Sequence, residues 1–169
     1  MNRDELKSVQ TPLKERYRQK PGDAHVTLKA TGVLDEGIAC SVASGQAIAK
    51  AGLHPASGGD GSLLCSGDML LEALVACAGV TLRAVATSLG IDLRSGAVQA
   101  EGDLDFRGTL GVDRTAPAGF QAIRLSFDLD TDADPDQLET LKRLTERYCV
   151  VLQTLVSTPA LSTSINVAG

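Results

Sequence analysis

Cysteines are the residues of this 169-residue chain with the clearest chemistry, and there are four: Cys40, Cys65, Cys77 and Cys149. A thiolate is a nucleophile, and two neighbouring thiols can alternate between a reduced pair and a disulfide. The cysteines form no C-x-x-C motif, and His25 and His54 lie near none of them in sequence, so we predict no metal site. The sequence therefore favours either thiol redox chemistry or simple burial of small apolar side chains.

The first residues and the longest apolar stretch indicate the compartment in which these thiols are found. The first ten residues, MNRDELKSVQ, lack the apolar core of a secretory signal. The longest apolar stretch, residues 69–86, contains Glu72 and Arg83, so we predict no membrane span. We expect a cytoplasmic protein, where stable structural disulfides are disfavoured.

Composition and charge favour a small-molecule site on one globular domain. Apolar residues make up 43% of the chain and charged residues 22%, and we found no repeat or linker, so we predict a single domain over residues 1–169. The net charge is -5 and the basic residues are scattered. Nucleic acid and anionic membranes are therefore not expected as partners.

Two predicted helices each carry a cysteine. Residues 69–89 are alanine-rich, apolar on almost every side and followed by Gly90, which predicts a buried helix with Cys77 in its middle. A second helix begins with Asp134 as N-cap and Pro135 at its first position, and has Cys149 in its late turns. Its predicted apolar stripe is Leu138, Leu141, Thr145, Tyr148 and Leu152.

Alternating apolar and polar residues predict the strands. The pattern indicates paired strands at residues 26–30 and 38–42, two clear strands at 98–106 and 123–129, and a last strand at 161–167. Strands that bury one face and expose the other are typical of antiparallel sheets, so the fold class is α+β. Helices packed about 8–10 Å apart can bring facing cysteines within disulfide range, but the sequence does not show which cysteines face one another.

This ordered set of features resembles the family of OsmC and Ohr, the osmotically inducible and organic-hydroperoxide-resistance proteins. The resemblance rests on Asp68 opening an Ala/Leu-rich helix, Ala-Cys77 within that helix, two alternating strands, and Cys149, 72 residues after Cys77. It implies antiparallel sheets packed around two long central helices in an intertwined homodimer, with sites near the subunit interface.

The same resemblance implies a stress-response peroxidase that reduces organic hydroperoxides without a cofactor. The family's peroxidatic cysteine maps onto Cys77 and its resolving cysteine onto Cys149. The Cys77 thiolate would attack the distal peroxide oxygen to give a sulfenic acid, which would condense with Cys149 to a disulfide. A dithiol reductant, of lipoyl type in similar proteins, would then restore both thiols.

Ionisation of Cys77 needs a stabilising group, because a free cysteine has a pKa of about 8.5 and the helix start is more than two turns away. Similar proteins use an arginine from an early strand, held by a carboxylate at the start of the central helix. Asp68 matches the carboxylate, but the turn TGVLDEG at residues 31–37 contains no arginine. Arg16, Arg18 and Arg83 remain as alternatives, and Val150 stands where many relatives have proline.

Two other functions stay open: a non-enzymatic dimer of this fold that binds an apolar small molecule, and a thiol switch in which Cys65 pairs with Cys77. Cys40 is expected to be a small core residue, and Cys65 a bystander or auxiliary thiol in a Gly/Ser-rich loop. Asp68 is either a helix-start residue favoured by the dipole or the carboxylate that orients an arginine.

Overall fold

Antiparallel strands and helices alternate along the chain, which confirms the predicted α+β class. The computed structural model describes residues 3–35, 39–42, 51–165 and 167. In chain order the elements are α1 (Arg3–Gln19), β1 (His25–Asp35), β2 (Ala39–Val42), β3 (Ala51–Gly52), β4 (Leu64–Cys65), α2 (Ser66–Leu89), β5 (Ser95–Asp105), α3 (Phe106–Thr109), β6 (Ala122–Asp130), α4 (Pro135–Tyr148) and α5 (Val150–Val156).

The main sheet has four antiparallel strands in the order β2-β1-β5-β6. The register places His25 opposite Asp105 in the β1 and β5 pair, and Ser95 opposite Asp130 in the β5 and β6 pair. β1 does pair with β2, but through residues 32–35, which were wrongly predicted as part of a turn; residues 26–30 pair with β5, and Ile38 lies outside the described residues. Strands β3 and β4 form a separate two-residue parallel pair.

Alternation along β5 and β6 gives the sheet its two faces. Val98 and Ala100 on β5 are fully buried, whereas the apolar residues of β6 are only half-buried. The prediction that Phe106 continues the β5 strand was wrong, because Phe106 begins α3. There the Asp105 carboxylate accepts the Arg107 backbone N–H at 3.0 Å, and a capped turn replaces the strand.

Helix α2 forms the centre of the core. Its Leu71, Leu74 and Val75 are fully buried and join β5 side chains in one apolar cluster. As predicted, Gly90 ends the helix, in a left-handed conformation with φ of 70° that favours glycine. By length and composition alone α2 could cross a membrane, but here its buried face belongs to the folded core.

Helix α4 begins as the sequence predicts. Asp134 and Gln137 form a reciprocal capping box, with side-chain hydrogen bonds of 2.8 and 3.0 Å, and Pro135 follows the cap. Leu141 and Thr145 face the core, each about 1% exposed. The predicted stripe was wrong at Tyr148, which is 57% exposed because the helix ends there.

The predicted last strand at 161–167 was also wrong. Residues 161–165 and 167 have no strand conformation, and Leu161, Ile165 and Val167 are 82%, 93% and 89% exposed. Alternating residues form a strand only where a neighbouring strand accepts their backbone hydrogen bonds. No described strand of this chain pairs with the segment.

Candidate active site

Helices α2 and α4 bring the thiols of Cys77 and Cys149 into hydrogen-bond contact. Cys77 is half-buried in the middle of α2, whereas Cys149 is completely buried. Leu82, which follows Cys77, lines the same cavity as Leu141, which precedes Cys149. The two helices therefore run antiparallel here, and both thiols are free.

Cys149 lies at a corner between two helices. With φ of -71° and ψ of 106° it ends α4 and precedes α5. Its N–H still donates to the Thr145 carbonyl at 2.9 Å, and its carbonyl accepts from the Gln153 N–H at 2.8 Å. The Gln153 side chain also donates to the Glu146 carbonyl at 2.8 Å, which holds the corner closed.

The first turn of α5 directs backbone N–H groups at Cys77. Burial acts to raise the pKa of this thiol, but hydrogen bonds from the Val151 N–H, the Cys149 thiol, the Val150 N–H and the Thr81 hydroxyl outweigh burial. The pKa of Cys77 therefore lies below its usual value, because each of these groups stabilises the thiolate.

The pKa of Cys149 moves in the opposite direction, to about 11. Burial is the main cause, and a negative charge on Cys77 adds to it, although the Leu152 and Val151 N–H groups partly offset both effects. Two interacting thiols titrate as a pair, and here the first proton leaves Cys77. The pair thus combines a half-buried thiol of lowered pKa with a buried thiol of raised pKa beside it.

No arginine pairs with Asp68 among the residues that the structure describes. Asp68 is half-buried in the first turn of α2, where burial raises the pKa of its carboxyl group and nearby His54 acts to lower it. Nine residues separate it from Cys77, which amounts to about 13 Å along the helix. The structure therefore brings Cys77 and Cys149 together and leaves Asp68 apart.

Of the three candidate arginines, Arg83 and Arg16 contact other groups and Arg18 is exposed. Arg83 donates to the Leu93 carbonyl at 2.6 Å, beyond the end of α2. Arg16 lies over the Tyr17 ring and 3.7 Å from Asp23. Arg18 is exposed at the end of α1.

Comparison with known proteins gives the family. The model of the OsmC family, described as OsmC-like protein, matches residues 59–164, which is more than half of the chain and includes Cys77, Cys149 and Asp68. The chain belongs to the OsmC-like protein family. The predicted resemblance is thereby confirmed.

A solved structure supports the same fold. The crystal structure of an OsmC-like hydroperoxide resistance protein from Jannaschia sp. CCS1 matches this OsmC-like chain with a TM-score of 0.61 and 15% sequence identity. The match covers 85% of this chain and 95% of the other. No curated protein matches the sequence.

Two apolar cavities of this OsmC-like chain are lined in part by residues of the helices that meet at the thiol pair. The larger, of about 640 Å³, lies between the half-buried face of β6 and helix α4, with Lys142 and Glu146 among its lining residues. The second, of about 440 Å³, is lined by Leu74, one turn before Cys77, and by Leu152, three residues after Cys149. Both cavities suit an apolar molecule.

Cys65 lies in another part of the molecule. It belongs to β4 and caps α2, and was wrongly predicted in a loop; it lines a separate cavity of about 310 Å³ with His54 and Phe106. Twelve residues of helix place it about 18 Å along the axis from Cys77, too far for a disulfide within one folded chain. The Cys40 side chain lies outside the described residues.

Sequence reasoning missed the donors around Cys77. Thr81 lies four residues after Cys77, a spacing that puts both side chains on one helix face and could have been noticed. The Val150 and Val151 N–H groups carry no sequence signal, because every residue except proline has one. They appear only once the chain turns at Cys149.

Proposed function

We propose that this OsmC-like chain is a thiol-dependent peroxidase that reduces organic hydroperoxides, with Cys77 as the peroxidatic residue and Cys149 as the resolving residue. The observation that carries the proposal is the hydrogen-bonded thiol pair, in which the pKa of Cys77 is lowered and that of Cys149 is raised. A peroxidatic cysteine must be ionised and accessible, and Cys77 is the half-buried member. A resolving thiol needs only to lie close to the peroxidatic sulfur.

The reaction uses two thiols and releases an alcohol and water. The Cys77 thiolate attacks the terminal oxygen of ROOH, the O–O bond breaks, and RO⁻ leaves with the electron pair. RO⁻ takes the proton of the Cys149 thiol to give ROH. The Cys149 thiolate then attacks the Cys77 sulfenic acid, the S–S bond forms, and hydroxide leaves and is protonated to water.

Apolar cavities support an organic rather than an inorganic peroxide. The cavity lined by Leu74 and Leu152, three residues from Cys77 and Cys149 in sequence, would offer aliphatic contacts to the R group. The name of the Jannaschia relative, a hydroperoxide resistance protein, is consistent with this class. The substrate that we propose is therefore an alkyl or aryl hydroperoxide.

The remaining parts of the proposal concern partners and location. A dithiol of lipoyl type would reduce the disulfide by thiol exchange in the cytoplasm, and the active form would be a homodimer. Asp68 would take part only as a supporting carboxylate at the start of α2, because it does not contact either sulfur. Asp68 is half-buried beside His54, and its carboxylate would there pair with a positively charged group.

The test is oxidation of the reduced protein by cumene hydroperoxide, followed by thiol titration and mass spectrometry. We expect loss of two thiols per chain and a disulfide between the Cys77 and Cys149 peptides. Cys77→Ser should abolish the reaction, and Cys149→Ser should permit one attack with no disulfide at Cys77. Cys65→Ser is the matched control and should react like the wild type. Survival of both thiols in excess peroxide would refute the enzyme proposal.

A non-enzymatic binder of apolar molecules is the second candidate, favoured by the cavity of about 640 Å³ and by the absence of an arginine at Asp68 among the described residues. Native mass spectrometry decides between the two. A ligand that copurifies with a protein whose thiols resist peroxide would favour the binder.

A further inference from the structure

Thr145 carries a buried hydroxyl group that nothing in the proposed mechanism uses. The residue is about 1% exposed, and its Oγ1 is the one buried side-chain oxygen or nitrogen without a hydrogen-bond partner in the described part of the chain. An unpartnered buried hydroxyl is unfavourable, because it has lost its hydrogen bonds to water without replacing them. Such a group calls for a physical explanation.

Other threonines of the chain satisfy their hydroxyls locally. Thr87 and Thr154 each donate to the carbonyl of the residue four positions earlier, both at 2.8 Å. Thr145 could do the same within α4 but does not. Its hydroxyl is therefore available for another acceptor.

Cys149 lies one helical turn after Thr145. The hydrogen bond of 2.9 Å from the Cys149 N–H to the Thr145 carbonyl extends the helical spacing to the residue that ends α4, so the two side chains project from the same face. Both side chains are buried. Rotation about the Cα–Cβ bond of Thr145 moves its hydroxyl across this face, where residues four positions apart are neighbours.

The Cys149 sulfur changes its hydrogen-bonding needs during the proposed reaction. In the reduced pair it is a thiol that donates to Cys77. To close the disulfide it must become a thiolate in a buried position, where the pKa of about 11 shows how strongly the surroundings oppose that charge. A hydrogen-bond donor that has no partner in the reduced pair but donates to the Cys149 thiolate speeds disulfide closure. It does so because it stabilises the reacting thiolate and not the resting thiol.

We propose that the Thr145 hydroxyl donates a hydrogen bond to the Cys149 sulfur when that sulfur becomes a thiolate and attacks the Cys77 sulfenic acid. This role rests on the proposed peroxidase function and adds a catalytic residue to its second step. Thr145 transfers no proton. The Cys149 proton goes to the departing alkoxide, and the electron pair of the new S–S bond comes from Cys149 as hydroxide leaves Cys77.

The test compares Thr145→Val and Thr145→Ala, which lack the hydroxyl, with Thr145→Ser, which keeps it. Each reduced protein is mixed with cumene hydroperoxide, and mass spectrometry follows the Cys77 sulfenic acid, trapped by dimedone, and the disulfide. We expect sulfenic acid to form at the wild-type rate in all variants. Without the hydroxyl, disulfide closure should slow about 10- to 100-fold, the range for a hydrogen bond to a charged group, and excess peroxide should convert Cys77 to sulfinic acid.

Controls separate this role from a structural one. Thr145→Ser should form the disulfide at near the wild-type rate. So should Thr87→Val, which removes a hydroxyl that already donates to a carbonyl of its own helix. Thr145→Val should melt at or above the wild-type temperature, because it removes an unpartnered buried hydroxyl without changing shape. Disulfide closure at the wild-type rate in both Thr145→Val and Thr145→Ala would overturn the role of Thr145 but leave the peroxidase proposal standing. A wild-type protein inert to hydroperoxide would overturn the peroxidase proposal and this role with it.

Discussion

Cys77 owes its low pKa to neutral donors in the described part of the chain: two backbone N–H groups, one thiol and one hydroxyl. Each such hydrogen bond contributes modestly, but together they outweigh the effect of burial. A guanidinium group would add a full charge and a long-range attraction. The neutral donors act only at contact, so the thiolate should be sensitive to small changes in geometry.

Removal of the Thr81 hydroxyl tests this account. In Thr81→Val we expect the pH profile of Cys77 alkylation by iodoacetamide to move to higher pH, because the thiolate loses a donor while the thiol form is little affected. Alkylation at pH 7 should slow about fivefold, for a hydrogen bond worth about 1 kcal/mol. Cys149 should stay unreactive below its pKa of about 11 in both proteins. Peptide mapping of the alkylated protein across the pH range provides the measurement.

The control for this change is Thr87→Val on the same helix, where the hydroxyl bonds the Arg83 carbonyl. Its alkylation profile should coincide with that of the wild type. If Thr81→Val also leaves the profile in place, the hydroxyl does not stabilise the thiolate.

Sequence reasoning reached the cysteine pair but not its surroundings. Cys77 and Cys149 were identified from their place in an ordered pattern, and the hydrogen bond between their thiols agrees with the packing that was considered possible. Asp68 was chosen by the same pattern, yet no arginine joins it among the described residues. The contacts from the Val150 and Val151 N–H groups depend on the turn of the backbone at Cys149. They could not be predicted, since no residue type encodes such a turn.

At the scale of elements, the corner between α4 and α5 positions the site. The chain leaves helical geometry at Cys149 and resumes it at Val150, so the N–H groups of the first α5 turn are not used within that helix and point to the sulfurs. This corner explains why Val150, 72% exposed, matters more through its backbone than through its side chain.

Val150→Pro separates the backbone role from the side-chain role. Proline is well tolerated at the first position of a helix, and the extended conformation of Cys149, with ψ of 106°, is near that favoured before proline. We expect a melting temperature close to that of the wild type. The Val150 N–H to Cys77 is lost, so alkylation of Cys77 at pH 7 should slow about fivefold, as for any donor worth about 1 kcal/mol.

Val150→Ala retains the N–H and serves as the control. It should alkylate like the wild type, since the side chain is mostly exposed. Equal rates in Val150→Pro and Val150→Ala would mean that this N–H contributes nothing to the thiolate.

Helices were predicted more accurately than strands for a physical reason. Capping at Asp134 and Gly90 is local, so a few neighbouring residues determine where each helix begins or ends. A strand depends on a partner distant in sequence. The alternating residues 161–167 therefore predicted a strand that no described strand of this chain completes.

At the scale of the whole molecule, several apolar surfaces lack cover within the described chain. The residues of β6 that face the large cavity are half-buried, and β6 is an edge strand. Leu161, Ile165 and Val167 are more than 80% exposed. Surfaces of this kind mark interfaces in folded proteins, which supports the proposed homodimer.

The uncovered apolar surfaces predict that the chain dimerises in solution. Light scattering coupled to size exclusion should give the wild type a mass of twice the 17.6 kDa of one chain. Replacement of Leu161, Ile165 and Val167 by serine should shift the protein towards the single-chain mass, because the alternating apolar face would no longer be removed from water. The folded chain should survive, since these side chains make no contribution to its own core. Ser162→Ala with Ser164→Ala changes polar residues of the same segment and should leave the mass doubled. A wild-type protein with a mass of 17.6 kDa at all concentrations would contradict the dimer. A triple-serine variant that keeps the doubled mass would place the interface elsewhere. The uncovered face of β6 would then be the next surface to change.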